Sequence, residues 1–327
     1  MTDVALAERR LVEVAALEKP ARAKRMLVIV NPHATMMTTR LRHLVVYALQ
    51  GRYDVEAIET ERRGHAIELV TAAVGEAFDV VVAFGGDGTV NEAANGLAGT
   101  STPLTVLPGG NNNVFAKMLG IPNDVVDATE HLLRLADRWG PRVVDLGRLN
   151  DRWFTFAAGV GLDASVVERV DAHPHLKSKY GHWYYASAAV GVFLRRYVVN
   201  PPRLEIEADD RRVGGISAFF QNGEPYTYFK SRPIKLVEGA RLDSGDLAGV
   251  MLTRARPYDV PTVTFRALSG AARIAKHRGI AALTGVRSAT IRSVDGRPVP
   301  VQVDGDHMSD ETVAELSVAP GALRVVS

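Results

Sequence analysis

The sequence predicts an α/β fold in the N-terminal part of the chain and an antiparallel β-sandwich or barrel after it. Three observations carry this reading. Four short apolar runs stand at helix-length intervals, glycines follow the third and fourth run at once, and beyond Pro141 the pattern changes to many short strand-like pieces. Parallel strands need crossovers long enough to hold a helix, and the first four runs have them.

Residues 1–25 read as an N-terminal extension, where Leu6 and Leu17 stand among charges and nothing fixes where a helix would pack. Met26-Leu27-Val28-Ile29-Val30 is apolar at every position, as suits a strand buried on both faces, and Asn31-Pro32 end it. Leu41, Leu44, Val45 and Leu49 follow at helical spacing. Val55 to Glu59 predicts a second strand, and Ala66, Leu69, Val70 and Ala73 mark one side of a second helix. Asp79 to Phe84 and Leu104 to Leu107 are the third and fourth strands, and Leu132 to Trp139 a further helix.

From there strands are expected at Val143 to Leu146, Trp153 to Ala157, Arg203 to Ala208, Val213 to Phe220, Leu247 to Leu252, Ala289 to Ser293 and Val313 to Val318. Helical interruptions are expected at Tyr180 to Tyr197 and Val260 to Lys276. In open parallel sheets ligands sit beyond the carboxyl ends of the strands, where the glycine clusters fall.

Composition narrows the function. Among 327 residues, 39 Lys/Arg face 37 Asp/Glu, and a formal charge of +2 does not argue for nucleic acid. No aromatic and basic repeat suggests base stacking either. Zero cysteines exclude disulfides, thiolate zinc sites and cysteine nucleophiles. No stretch supplies 18 consecutive apolar residues, and Glu8, Arg9, Arg10 and Glu13 interrupt the opening segment, unlike a signal-peptide core. A soluble, cytoplasmic protein is expected, with peripheral contact at the membrane inner face left open. The oligomeric state is also open, a homodimer included.

The sharpest local signal is Phe84-Gly85-Gly86-Asp87-Gly88-Thr89, directly after an apolar run and before a helical stretch. Residues without side chains let phosphate approach backbone N–H groups, and an opening helix adds its positive end. The Asp87 carboxylate would repel a bare phosphate, so it calls for Mg²⁺ between them or for a hydrogen bond from the bound group. The plainer alternative is a tight turn in which Asp87 or Thr89 caps the helix.

Leu107-Pro108-Gly109-Gly110-Asn111-Asn112-Asn113 repeats the arrangement. Asn111 and Asn113 can both donate amide hydrogens to phosphate or a nucleoside, whereas a cap needs only one of them. Asn31 ends the first strand on the same predicted sheet edge, and a simple strand-ending turn is its alternative role. Neither a Walker loop nor G-x-G-x-x-G is present.

Together, NP at 31–32, FGGDGTVNEAANGLAG at 84–99 and LPGGNNNVFAKMLGIP at 107–122 resemble the diacylglycerol kinase catalytic-domain family, which includes sphingosine kinases and bacterial lipid kinases. AAGVGLDASVV at 157–167, LDSGDLAGV at 242–250 and VPVQVDGD at 299–306 extend the resemblance. It implies an α/β ATP-binding domain at 26–141, joined by the last residues at about 313–327. A β-sandwich-like lipid-substrate domain at 142–312 and an active-site cleft between the two are also implied.

By this resemblance Asp87 belongs to the nucleotide and Mg²⁺ site. Gly85, Gly86, Gly88 and Thr89 take phosphate-loop roles, as do Gly109, Gly110 and Asn111 in the second cluster, and Asn31 and Asn113 match nucleotide-site asparagines. The chain departs from the family at Asn111, where Thr is usual, at Val114, where Asp is usual, and at NPHAT, which lacks the usual Ser-Gly. Asp306 stands where bacterial relatives carry the Glu assigned as base for the lipid hydroxyl. It keeps the carboxylate and loses one methylene of reach. Asp304 is the competing base, expected mainly to shape the turn. Asp243, with Asp246 as a weaker match, corresponds to an acidic turn holding a structural Mg²⁺, and an empty Asx turn is the alternative.

The acceptor is read from Tyr180 to Leu194, an apolar helix flanked by Lys177, Lys179, Arg195 and Arg196. It suits either a lipid entrance or an ordinary core helix. His173, His175 and His182 lack a convincing third zinc ligand. The expected function is an ATP-dependent lipid kinase acting on a lipid hydroxyl such as that of diacylglycerol. A kinase for another hydroxyl compound such as NAD, or an inactive nucleotide-binding regulator, is the alternative.

Overall fold

A computed structural model of the chain describes residues 10–11, 23–34, 37–135, 139–173, 184, 187–229, 232–254, 256–259, 262–263, 265–266 and 273–327. His175, His182, most of the N-terminal extension, the start of the apolar helix and most of 260–272 lie outside the described residues. The chain divides into two compact units, Met1–Val144 with Gly321–Ser327, and Asp145–Pro320.

In the first unit β1 (Arg25–Val30), β2 (Asp54–Glu59), β3 (Val80–Gly85) and β4 (Leu104–Pro108) run parallel in the order β2-β1-β3-β4. The intervals hold α1 (Thr39–Gln50), α2 (His65–Ala73) and α3 (Asp87–Leu97). α4 (Val114–Leu119) and α5 (Val125–Leu135) follow β4. β3 and β4 are buried at every residue, whereas β2, with Asp54, Glu56 and Glu59 exposed, has the charged composition of an edge strand. The last part of β18 (Val313–Val325) lies parallel to β4, with Val325 opposite Leu104.

The helix expected at Leu132 to Trp139 begins earlier, at Val125, because the Asp124 carboxylate accepts the N–H groups of Val126 and Asp127 at 2.8 and 3.2 Å and caps it. Trp139 is past its described end. Its ring sits 5.4 Å from that of Tyr53, with the Lys24 ammonium 4.1 Å from its centroid.

The second unit is a sandwich of antiparallel strands. One sheet has the order β14-β13-β10-β7-β16-β17: β14 (Ile280–Val286), β13 (Leu247–Leu252), β10 (Ser217–Gln221), β7 (Ala157–Val160), β16 (Val299–Val303) and β17 (Asp306–Glu311). Opposite it, β18 pairs with β15 (Ser288–Ser293), β15 with β8 (Leu204–Ala208) and β8 with β9 (Arg211–Gly215). β5 (Arg142–Leu149) joins β18 to β6 (Arg152–Phe154), and β11 (Thr227–Phe229) and β12 (Arg232–Ile234) form a separate hairpin. Ile206, Ile291 and Leu316 from one face meet Phe220, Met251, Val301 and Val303 from the other in a single core.

Val213 to Phe220, expected as one strand, is two, and they belong to different sheets. The switch occurs at Gly215, where a Cβ would stand 2.5 Å from the Leu252 carbonyl oxygen, and Ile216 donates its N–H to that same oxygen at 2.8 Å. The chain passes between the units at Val144–Asp145 and Pro320–Gly321, and β5 and β18 run through these points unbroken.

α6 (Leu162–Asp171) packs Val166 and Val170 against Ala188, Val192 and Tyr197 from the end of the expected apolar helix. That helix covers residues 187–192 and continues as a π-helical turn, Phe193–Tyr197, leaving Val190 and Leu194 exposed. Among the described residues no helix is long and apolar enough to cross a membrane.

Candidate functional site

In the first unit the strand ends bring the two glycine clusters into contact. β3 stops at Gly85 and α3 starts at Asp87, so Gly86 alone makes the connection and no side chain caps the helix. The Gly109 N–H donates to the Gly85 carbonyl at 2.8 Å. A Cβ on Gly110 would stand 2.8 Å from the Gly86 Cα, and one on Gly85 would stand 2.5 Å from the Thr89 hydroxyl, so the turns meet only because these side chains are absent. Asn31 closes the third side: its amide donates to the Thr89 hydroxyl at 3.1 Å, its own N–H goes to the Phe84 carbonyl, and its Oδ1 accepts the His33 N–H. The first N–H groups of an α-helix have no partner within it, and at α3 no side chain caps them. A helix start flanked by glycines in this way can receive an anion.

The asparagines of the second cluster divide their work. Asn113 is buried in a left-handed conformation at φ 46°, and its side chain holds its own loop. Its Oδ1 accepts the Gly110 N–H at 2.9 Å, while its amide donates to the Gly110 carbonyl at 2.7 Å and to Asn123 Oδ1 at 3.1 Å. Both amide hydrogens, expected for phosphate or nucleoside, therefore go to the protein, and Asn113 acts by shaping the turn. Asn111 is exposed beside it, with its amide in reach of solvent.

Asp87 is half-buried in the first turn of α3 and accepts the Phe115 N–H at 3.4 Å. The sequence reading missed Lys117. Burial holds its ammonium below the usual lysine range, against the attraction of the Asp87 carboxylate. Its only signal was its place four residues after Asn113, within the short helix that the second cluster opens.

In the second unit Asp304-Gly305 is a two-residue hairpin turn, both residues at positive φ (49° and 83°), which sets Asp306 opposite Val303 at the start of β17. Asp304 is buried. Its carboxylate accepts the N–H and hydroxyl of Thr155 at 2.7 and 2.8 Å and the N–H groups of Phe156 and Ala157 at 2.9 and 3.0 Å. With four donors on it, Asp304 shapes the turn, and Asp306 is half-buried at the start of β17.

In the acidic turn both carboxylates expected for a cation have protein partners. Arg241 holds Asp243 through two hydrogen bonds of 2.9 Å, and Asp246 Oδ1 accepts the Ser244 hydroxyl at 3.0 Å. Asp145 accepts the Gly245 N–H at 2.6 Å. A guanidinium two residues away thus neutralises the expected first ligand. Among the described residues no group of three His, Asp or Glu side chains is arranged to hold a metal ion.

The diacylglycerol kinase catalytic domain matches residues 25–147. Diacylglycerol kinases from Staphylococcus aureus strains JH9 and Newman are each 30% identical over 232 residues, covering 68% of this chain and 68% of theirs. The chain belongs to the diacylglycerol kinase family. Two solved structures from Bacillus anthracis strain Sterne, one described as a diacylglycerol kinase, share the fold, with TM-scores of 0.74 and 0.67 at 20% and 19% identity. Each covers 94% of this chain and 98% of its own.

Membership in the diacylglycerol kinase family makes this a kinase and implies a nucleoside triphosphate with a divalent ion. Glycines at 85, 86 and 110 let the two turns pack against each other where a Cβ would meet protein atoms, and the α3 start beside them carries no side-chain cap, a backbone surface of the kind phosphates take. Asp87 is the residue there whose carboxylate would hold such an ion. The turn at 242–246 does not fit a second ion while Arg241 holds Asp243.

Proposed function

We propose that this member of the diacylglycerol kinase family is an ATP-dependent lipid kinase that transfers the γ-phosphate to a lipid hydroxyl such as that of diacylglycerol. The observation that carries this reading is the contact between the two glycine turns at the uncapped start of α3. Backbone N–H groups bind the phosphate oxygens there, and Lys117 adds positive charge beside Asp87. Asp87 would hold Mg²⁺, directly or through water, and the ion supplies charge neutralisation for the phosphates.

The acceptor hydroxyl oxygen bonds to the γ-phosphorus as the bond from that phosphorus to the β–γ bridging oxygen breaks, and ADP leaves. Asp306 takes the hydroxyl proton. An ordinary carboxylate suffices, because in a loose transition state the proton departs late.

The test is transfer of label from [γ-³²P]ATP with Mg²⁺ to diacylglycerol in mixed micelles, with sphingoid base, phosphatidylglycerol and NAD as parallel acceptors. Labelled phosphatidic acid is expected. Asp87→Asn and Asp306→Asn should each lower the rate by about 10²- to 10⁴-fold. Label on NAD alone, or on no acceptor, would replace this reading with one of its alternatives, and full turnover by Asp306→Asn would remove the base.

A further inference from the structure

The reach lost by having aspartate rather than glutamate at 306 puts a premium on how firmly its turn is held. Gln302, on β16 and fully buried, makes a contact there that the sequence did not suggest. Its Oε1 accepts the N–H of Gly305, the residue before Asp306, at 2.8 Å. At its other end Nε2 donates to Asp163 Oδ2 at 2.5 Å and lies 3.3 Å from the Tyr226 hydroxyl. The Tyr226 O–H donates to that same Asp163 oxygen. A carboxylate in the first turn of α6, a carboxamide on β16 and the hairpin amide thus form one line, fastened by a buried phenol.

Gly159 on β7 makes room for it. A Cβ there would stand 2.8 Å from Asp163 Oδ2 and 3.0 Å from Gln302 Nε2. Burial drives the Asp163 carboxyl upward in pKa, and the two donors oppose that rise. Tyr226 is raised well above the ordinary phenol range, by burial first and then by Asp163, so it stays a proton donor.

We infer that Gln302 is a positioning residue, coupling the Asp163–Tyr226 pair to the Asp304–Gly305 turn and so fixing the reach of Asp306. This rests on the phosphotransfer reading above, in which Asp306 is the base. Gln302 itself touches no reacting atom, and a carboxamide is suited to the position because it donates at one end and accepts at the other. A displacement of about 1 Å at a catalytic group costs on the order of 100-fold in rate.

The experiment is a double-mutant cycle on the full chain, using the diacylglycerol assay and hydrogen exchange at the Gly305 amide. Gln302→Leu should lower kcat about 10- to 100-fold with KM for ATP unchanged, and should speed Gly305 exchange. In an Asp306→Asn background the same change should cost little further rate, because the group it aims is already gone. Gly159→Ala pushes the two side chains apart without touching either one's chemistry, and should reproduce the kcat loss and the faster exchange.

Gln302→Leu with full kcat would overturn the inference and leave the kinase reading standing. An equal rate loss in both backgrounds would also overturn it, reducing Gln302 to a structural part. No transfer by the unsubstituted protein would instead sink the kinase reading and take the positioning role with it. Should Gln302→Leu fail to fold, Gly159→Ala and the near-isosteric Gln302→Glu, which keeps the acceptor for Gly305 and loses the donor to Asp163, carry the same cycle.

Discussion

The glycine turns of the first unit and the β16–β17 turn of the second are made in opposite ways. The first pair is built from missing atoms: Gly86 and Gly110 meet backbone to backbone, and the helix start between them is left uncapped. The other is built from buried side chains, with Asp304 accepting four hydrogen bonds and Gln302 another. In the proposed reading, a surface that receives a ligand's charge leaves its helix start without a side-chain cap, whereas a support for one carboxylate is itself heavily hydrogen-bonded. Adding atoms should therefore damage the first, and removing atoms the second.

The largest effect is expected at Asp304. Asp304→Ala strands three backbone N–H groups and the Thr155 hydroxyl, and should cost about 3–5 kcal/mol in urea denaturation. A loss near zero would mean that water replaces the carboxylate and that the contrast is overstated. Next comes Gly110→Ala, whose methyl meets backbone 2.8 Å away. Overpacking of this kind costs about 1–3 kcal/mol, and calorimetry should show ATP binding weakened at least tenfold, while hydrogen exchange at Gly305 in the other unit stays as it was. Unchanged ATP affinity would separate the turns from the nucleotide. The smallest effect is expected at the exposed Asp243. Asp243→Ala should leave the denaturation midpoint unchanged with or without EDTA, because the carboxylate pairs with Arg241 at the surface. A marked EDTA-sensitive loss in the unsubstituted protein alone would restore a cation there.

Much of this contrast was readable from the chain, and unevenly so. The strands were legible where every residue of a run is apolar, as in Met26 to Val30 and Val80 to Phe84, because burial on both faces leaves no polar position. The glycine clusters were legible because a strand end followed at once by glycines and a helix admits few geometries. Side-chain partners were harder. Asn113 looked like a ligand donor, and only the folded loop shows its amide turned back on Gly110 and Asn123. Asp243 was expected as a cation ligand or part of an Asx turn, and the fold adds its pairing with Arg241. Gln302 gave no sign at all, since Asp163 and Tyr226 lie 139 and 76 residues away and the sheet alone brings them together. The break at Ile216 escaped because an apolar run reads the same whether it stays in one sheet or changes sheets.

The path of β18 has a consequence for how the molecule is made. Residues 321–327 belong to the first unit, where Val325 pairs with Leu104 and the Gly99 N–H reaches the Ala322 carbonyl at 2.8 Å. During synthesis the parallel sheet of the first unit therefore waits, one strand short beside β4, until residues 321–327 have left the ribosome. An N-terminal fragment ending near residue 144 would carry that raw edge permanently.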